Sequence, residues 1–367
     1  MIMSNIVVAS SFIIINRKAL LSTTLRTRSN LAPGTTRRMA TDASLADAAA
    51  ALSEHYRGAA SRTSAAEERS QAARASGEKS LMGGLAAPLL EQMGLSSSGP
   101  PQQQQQQQAI RLLDSACGPG VFTREVQAAL GATEQGRRTL ARSRFVCADS
   151  APGLVEAARR RIEEEGWVNA EAMVADAMDT GLPADEFTHV AITLGLHLIP
   201  DPDAVLEDVK RVLQPGGMFG ATTFPASNAG RFWYADMRAA LASLPFAAPP
   251  LPDPMPMQVH TRGRWYDAAW AAAHLAASGF RDVRVRVVPG RHRVEGAEAW
   301  LRAFGGMLPW VMATWWPAAL RRAHGEDEVR GLVRRFLEDK YGGGGWDVEW
   351  EVMSMTAVVD KAASTEA

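Results

Sequence analysis

The chain is 367 residues long, enough for one large domain or two ordinary ones. Its 39 basic and 40 acidic side chains leave a net charge of −1, which excludes a bulk electrostatic grip on nucleic acid or anionic lipid. A hydrophobic content of 46% excludes disorder throughout, and two cysteines, Cys117 and Cys147, build neither a disulfide framework nor, alone, a thiolate zinc site, so no metal is expected.

Residues 1–41 contain no Asp or Glu but carry Arg17, Lys18, Arg26, Arg28, Arg37 and Arg38 among many Ser and Thr, a transit-peptide composition. The apolar stretch Ile6 to Ile15 is too short to span a bilayer, and no basic residue precedes it as in a secretory signal. Met39 opens a second acceptable start. A cytoplasmic location is therefore expected, with mitochondrial import as the alternative and a partly disordered extension in either case. Residues 42–101 read as N-terminal helices and linker, with helices expected over Ser53 to Ala75 and Leu81 to Met93. Ser96 to Gln108 offers no apolar face to bury and reads as a low-complexity linker.

After the linker, an apolar run from Ile110 ends in Asp114 and a turn Ala116-Cys117-Gly118-Pro119-Gly120, followed by a helix expected over Thr123 to Leu130. Phe145 to Asp149 leads into a helix with Leu154, Val155, Ala158 and Ile162 on one face, stopped by Gly166. Ala172 to Asp176 and Thr188 to Leu194 read as the third and fourth strands. Asp201-Pro202 then supplies an N-cap and first-turn pair for a helix with Val205, Leu206, Val209, Val212 and Leu213 inward. Met218 to Thr223 reads as the fifth strand. This alternation indicates a doubly wound, mainly parallel α/β sheet, in which ligands bind beyond the carboxyl ends of the strands.

These residues resemble the core of a class I S-adenosylmethionine-dependent methyltransferase of the small-molecule type acting in quinone and fungal secondary metabolism. Four segments carry the resemblance in order: DSACGPG, CADSAPGLVEAARRR, VADAMDTGLPADEFTHV and LEDVKRVLQPGGMF. It implies a seven-stranded Rossmann-like sheet with an antiparallel last strand, S-adenosyl-L-methionine as cofactor and a small-molecule methyl acceptor. It further implies that Ala116, Cys117, Gly118 and Gly120 line the amino-acid tail and that Asp114 helps hold the ammonium. Asp149, with Ser150 beside it, would meet the ribose hydroxyls, and Asp176, Ala177 and Met178 the adenine, with Thr193 at the end of the fourth strand. Ala116 departs from the family's first glycine, and the polar segment Gly131 to Arg144 lengthens the spacing from Gly120 to Asp149.

Each acid also has a purely structural explanation: Asp149 as a helix cap, Asp176 as a loop acid, Asp114 as a partner of the turn amides. A side-chain base is needed only where the acceptor must lose a proton, and His197, just past strand four, is the candidate. A packed loop histidine is its bland counterpart.

In the last third, Asp267 caps an alanine-rich helix and Arg281 to Val288 alternates as an edge strand, with Trp346 to Asp360 as the last strand. The methyltransferase domain is thus expected over 102–290 with 346–361, and insertions 224–264 and 291–345 as a helical substrate cover. Within the second, Ala303 to Leu320 is a run of 18 residues without charge carrying Trp310, Trp315 and Trp316. Its prolines and glycines speak against a membrane span, so the three tryptophans are expected to line an apolar acceptor pocket, with peripheral membrane contact as the lesser alternative. The rivals are an NAD(P)-dependent oxidoreductase, disfavoured because Thr123 stands where the G-x-G-x-x-G fingerprint needs its third glycine, and a non-catalytic methyltransferase-like assembly protein.

Overall fold

The computed structural model describes residues 80–96 and 109–361. The N-terminal extension, the helix expected over Ser53 to Ala75 and nearly all of the polyglutamine linker lie outside the described residues. Helix α1 (Leu81–Gln92) starts at Ser80, whose hydroxyl accepts from Gly83 N, and contains Pro88.

Seven strands follow in the order β3-β2-β1-β4-β5-β7-β6. They are β1 (Arg111–Ser115), β2 (Arg144–Asp149), β3 (Ala170–Val174), β4 (Phe187–Thr193), β5 (Leu213–Thr223), β6 (Phe280–Val294) and β7 (Trp346–Val359). The first five pair in parallel, and β7 runs antiparallel between β5 and β6, as the family resemblance implies.

Period-two alternation distributes the strand residues to two faces. Leu113, Val146, Val190, Ile192 and Phe219 pack in one core with Val205, Leu206 and Val209 of α5 (Pro202–Val212) and Ala271 and Leu275 of α7 (Ala268–Ala277). On the other face, Leu112, Phe145 and Ala191 meet Leu89 of α1 and Phe122 and Val126 of α2 (Val121–Gly131). Beside them, Cys117 and Cys147 pack with Ala158 of α4 (Pro152–Glu165) and with Trp167. The polar segment before β2 folds into a short helix, α3 (Glu134–Leu140), capped by Thr133.

Strand β6 continues through Val294, beyond the expected Val288, and its ladder with β7 runs from Phe280↔Val359 to Val294↔Trp346. Strand β5 ends at Thr223, opposite Met353. Residues 346–352 of β7 therefore overhang the carboxyl edge of the parallel strands, and the cover is built on that overhang. Its core joins Trp346, Val348 and Trp350 to Trp233 and Met237 of α6 (Phe232–Ala242), Trp300 of α8 (Ala297–Phe304), Val311 of α9 (Leu308–Trp315) and Val333 of α11 (Glu326–Tyr341). Asp236 fastens this layer: it is 5% exposed and accepts from Lys340 Nζ (2.8 Å), Tyr341 Oη (2.8 Å) and Trp346 Nε1 (3.2 Å).

The uncharged run Ala303 to Leu320 starts at the end of α8, continues through α9 and ends in the first residues of the short α10 (Ala318–Ala323), broken at Pro317. Among the described residues no helix is long and apolar enough to cross a membrane.

Candidate active site

The turn between β1 and α2 is made by backbone in the left-handed region, at Ala116 (φ 51°), Gly118 (φ 55°) and Gly120 (φ 76°). For Ala116 that conformation costs roughly 1–2 kcal/mol. Its methyl is accommodated by Gly195, where a Cβ would lie 3.3 Å from it. A Cβ on Gly120 would meet the Trp167 ring at 3.0 Å, whereas one on Gly118 would meet nothing within 4 Å. Gly120 is thus required for packing, and Gly118 leaves open space over the turn.

Asp114 is fully buried at the end of β1. One oxygen, Oδ2, accepts from Thr123 N (3.1 Å) and Thr123 Oγ1 (2.8 Å); the other, Oδ1, is buried without a partner. Burial pushes this carboxyl up to about 7, against the lowering effect of the two Thr123 bonds and with a smaller contribution from Asp149. An orphaned carboxylate oxygen facing no donor is the arrangement an incoming ammonium would complete. Thr123, at the position where a dinucleotide fold needs glycine, is instead the anchor of this acid.

Asp149 is 8% exposed at the end of β2, and its pKa is raised by burial against two amide bonds. Its Oδ2 accepts from Gly118 N (2.8 Å) and its Oδ1 from Ala151 N (2.9 Å). The N-cap of helix α4 is Ala151, which makes no side-chain cap bond, and Asp149 bonds no first-turn amide of the helix; the acid ties the glycine turn to the second loop. Each carboxylate oxygen still has a second acceptor site, which leaves capacity for a diol. Ser150 beside it is exposed.

Asp176 lies two residues past β3, in a turn where its Oδ1 accepts from Met178 N (2.9 Å); Ala177 is buried in the core. Cys117 and Cys147 are buried free thiols. Cys117 has its pKa raised by its bond to Cys147 and by burial, which suits a packed thiol and not a nucleophile. Buried Arg161 on α4 donates to Pro119 O (3.0 Å) and holds the turn from below. Periodicity hid that contact, since an arginine on an apolar face has no local signal.

Strand β4 ends at Thr193, half-buried, and Leu194 follows with φ 55°, a strained conformation of the kind kept at functional loops. The loop carries His197, 6% exposed, edge-on to Phe224 at 5.6 Å, with its Nδ1 buried and unpartnered. Burial, with a smaller effect of His260, lowers its pKa to about 3. The imidazole is neutral at physiological pH and a weak base.

Trp310 and Trp316 are buried in the core of the cover, 7% and 3% exposed, and Trp315 is half-buried, edge-on to Trp310 at 4.9 Å. The same cluster receives Leu194, Leu198 and Phe224 from the ends of β4 and β5, so the cover closes onto the loop that carries His197. An apolar groove of about 590 Å³ between Ala247–Pro249 and Pro317–Ala323 shares no residue with the glycine turn or this loop.

Residues 112–217, the span from β1 into β5, match the family model described as a methyltransferase domain. The chain is 30% identical over 233 residues to the methyltransferase tpcH of Aspergillus fumigatus, covering 63% of this chain and 78% of that one. It is 30% identical over 251 residues to the methyltransferase ktnA of Aspergillus niger, again 63% and 78%. The acetylaranotin bis-thiomethyltransferase of Aspergillus terreus is 26% identical over 231 residues, covering 63% and 75%. With the sheet order, the glycine turn and the acids at successive strand ends, these matches settle the identity: the chain belongs to the class I S-adenosylmethionine-dependent methyltransferases.

Proposed function

We propose that the chain methylates a small apolar or aromatic metabolite at a hydroxyl or thiol, and that His197 accepts a hydrogen bond from that group. S-adenosylmethionine supplies an electrophilic methyl carbon on a positive sulfur. Asp114 Oδ1 would take its ammonium, the backbone from Ala116 to Gly120 its carboxylate tail, Asp149 the ribose diol, and the turn from Asp176 to Met178 the adenine. Ser150 and Thr193 would line the same part of the cofactor site.

What this chain adds is alignment and exclusion of water. The observation that carries the reading is the buried His197, with an orphaned ring nitrogen, on the loop after β4 under an aromatic cover. A base near 3 removes a proton poorly, so its contribution is to orient an acceptor that is itself acidic, as phenols and thiols are. Trp310, Trp315 and Trp316 give the cover its apolar bulk; in this reading Trp315, the most accessible of them, reaches the acceptor while the other two support it. That a relative is named a bis-thiomethyltransferase agrees with a thiol acceptor.

The test is to incubate the protein with methyl-labelled S-adenosylmethionine and a metabolite extract, and to locate the label by mass spectrometry. The reading expects label on oxygen or sulfur, and at least tenfold less of it with His197→Ala. Label on carbon or nitrogen, or an unaffected variant, contradicts it, and no transfer to any acceptor would favour a non-catalytic assembly role.

A further inference from the structure

The loop that carries His197 is held from outside by a segment that the mechanism above does not use. The end of the first insertion and the two residues after it, 257–266, cross the carboxyl ends of β4 and β5 as a strap. Thr223 Oγ1 donates to Trp265 O (2.6 Å), and Ala226 N donates to Tyr266 O (3.0 Å). Gln258, 7% exposed, folds the strap internally: its Nε2 donates to His260 O (2.6 Å) and Gly263 O (2.9 Å), and its Oε1 accepts from Trp265 N (3.0 Å). Arg262 pairs with Asp201 at 2.8 Å, at the start of α5.

Two bonds then reach the loop itself. Val259 N donates to His197 O (3.0 Å), and His260 Nε2 lies 2.9 Å from Leu196 O. A carbonyl only accepts, so Nε2 carries a proton and donates it to Leu196 O. The backbone on both sides of the Leu196–His197 peptide is thus clamped by consecutive residues of the strap. Inside the loop, Leu198 N and Ile199 N donate to Gly195 O at 2.8 and 3.1 Å, closing a turn that the clamp holds in place.

We infer that His260 is a positioning residue for methyl transfer: its Nε2–H bond to Leu196 O, with Val259 N on His197 O, fixes the His197 ring against Phe224. The inference rests on the reading of His197 as the acceptor-side residue. It assigns His260 a donor role in one tautomer, and this makes substitution informative. A glutamine amide nitrogen stands at the same bond distance from Cα as Nε2 and can donate to Leu196 O; an asparagine amide is one bond short.

The experiment follows His197 in the full-length protein by ¹⁵N-histidine NMR, with amide exchange of Leu198 and Ile199 and with S-adenosylmethionine affinity by calorimetry. Expected for His260→Ala and His260→Asn are a changed His197 ring shift, its protonation midpoint moved up toward the ordinary histidine value, and exchange at the two amides faster by about three- to tenfold. His260→Gln should retain the wild-type values, and S-adenosylmethionine affinity should stay within about twofold in all three. Unchanged His197 signals in His260→Ala, or a folded His260→Gln that fails to restore them, overturns the inference. These readouts need no acceptor. A His197→Ala variant with full methyl transfer would therefore refute the role of His197 and leave the positioning result to stand or fall on its own.

Discussion

Replacing Asp114 by Asn should make the unliganded protein more stable and worse at its task. Burial raises this carboxyl from 3.8 to about 7, so the folded state holds its proton more tightly than the unfolded chain does. The sign follows from linkage: below about pH 4 both states are protonated and Asp114 costs nothing. As pH rises toward 7 the unfolded chain ionises while the folded one resists, and stability falls. Above about 7 the loss is constant, at roughly 3 pH units times about 1.4 kcal/mol, an upper estimate of about 4 kcal/mol. Asparagine keeps the acceptor for Thr123 N and Oγ1 and carries no charge to bury. It removes the carboxylate that would meet the ammonium, a charge-assisted bond worth about 1.5–3 kcal/mol, or roughly 10- to 100-fold in affinity. Urea denaturation between pH 5 and 8, with and without saturating S-adenosylmethionine, tests both halves. The wild type should lose stability with rising pH unless the ligand is present, its affinity should fall as pH drops below about 7, and the variant should lack both slopes. An Asn variant that is less stable at pH 8, or binds with wild-type affinity, would refute the reasoning.

Asp149→Ala should weaken S-adenosylmethionine binding at least tenfold in calorimetry while the protein stays folded; losing the bonds to Gly118 N and Ala151 N costs about 1–3 kcal/mol in denaturation. Gly120→Ala, which drives a methyl against Trp167 at φ 76°, should destabilise by roughly 2 kcal/mol or more. Ala116→Gly relieves a strained φ and should leave stability within about 1 kcal/mol. Trp310→Ala and Trp316→Ala should each cost about 3–5 kcal/mol in thermal unfolding, as buried cover core. Trp315→Ala should cost less and impair methyl transfer more than S-adenosylmethionine affinity.

Much of this was legible in the sequence because the relevant physics is local. A strand that ends in an acid and a glycine turn declares itself within ten residues, as Leu112 to Gly120 does, and Asp201-Pro202 names its own helix start. Segment lengths were less readable: β6 runs to Val294 because β7 pairs with it that far, a long-range ladder with no local mark. The short helix α3 was hidden in a polar run with almost no apolar face, and only Thr133 hinted at its start. The site's supports were the least visible. Thr123 to Asp114, Arg161 to Pro119 and Val259 to His197 join residues brought together by the fold, and the donors have unremarkable neighbours in sequence. Thr123 was marked in the sequence only as the residue standing where a dinucleotide fold would need glycine; that its hydroxyl and amide hold Asp114 is visible only in the folded turn.

A crystal structure of the full-length chain with S-adenosylhomocysteine is the most direct test of the site. The account predicts the ligand's ammonium at Asp114 Oδ1, its ribose hydroxyls at Asp149 and its sulfur turned toward the loop of His197. A ligand seated away from the glycine turn, or one whose ammonium leaves Asp114 Oδ1 unpaired, would contradict it.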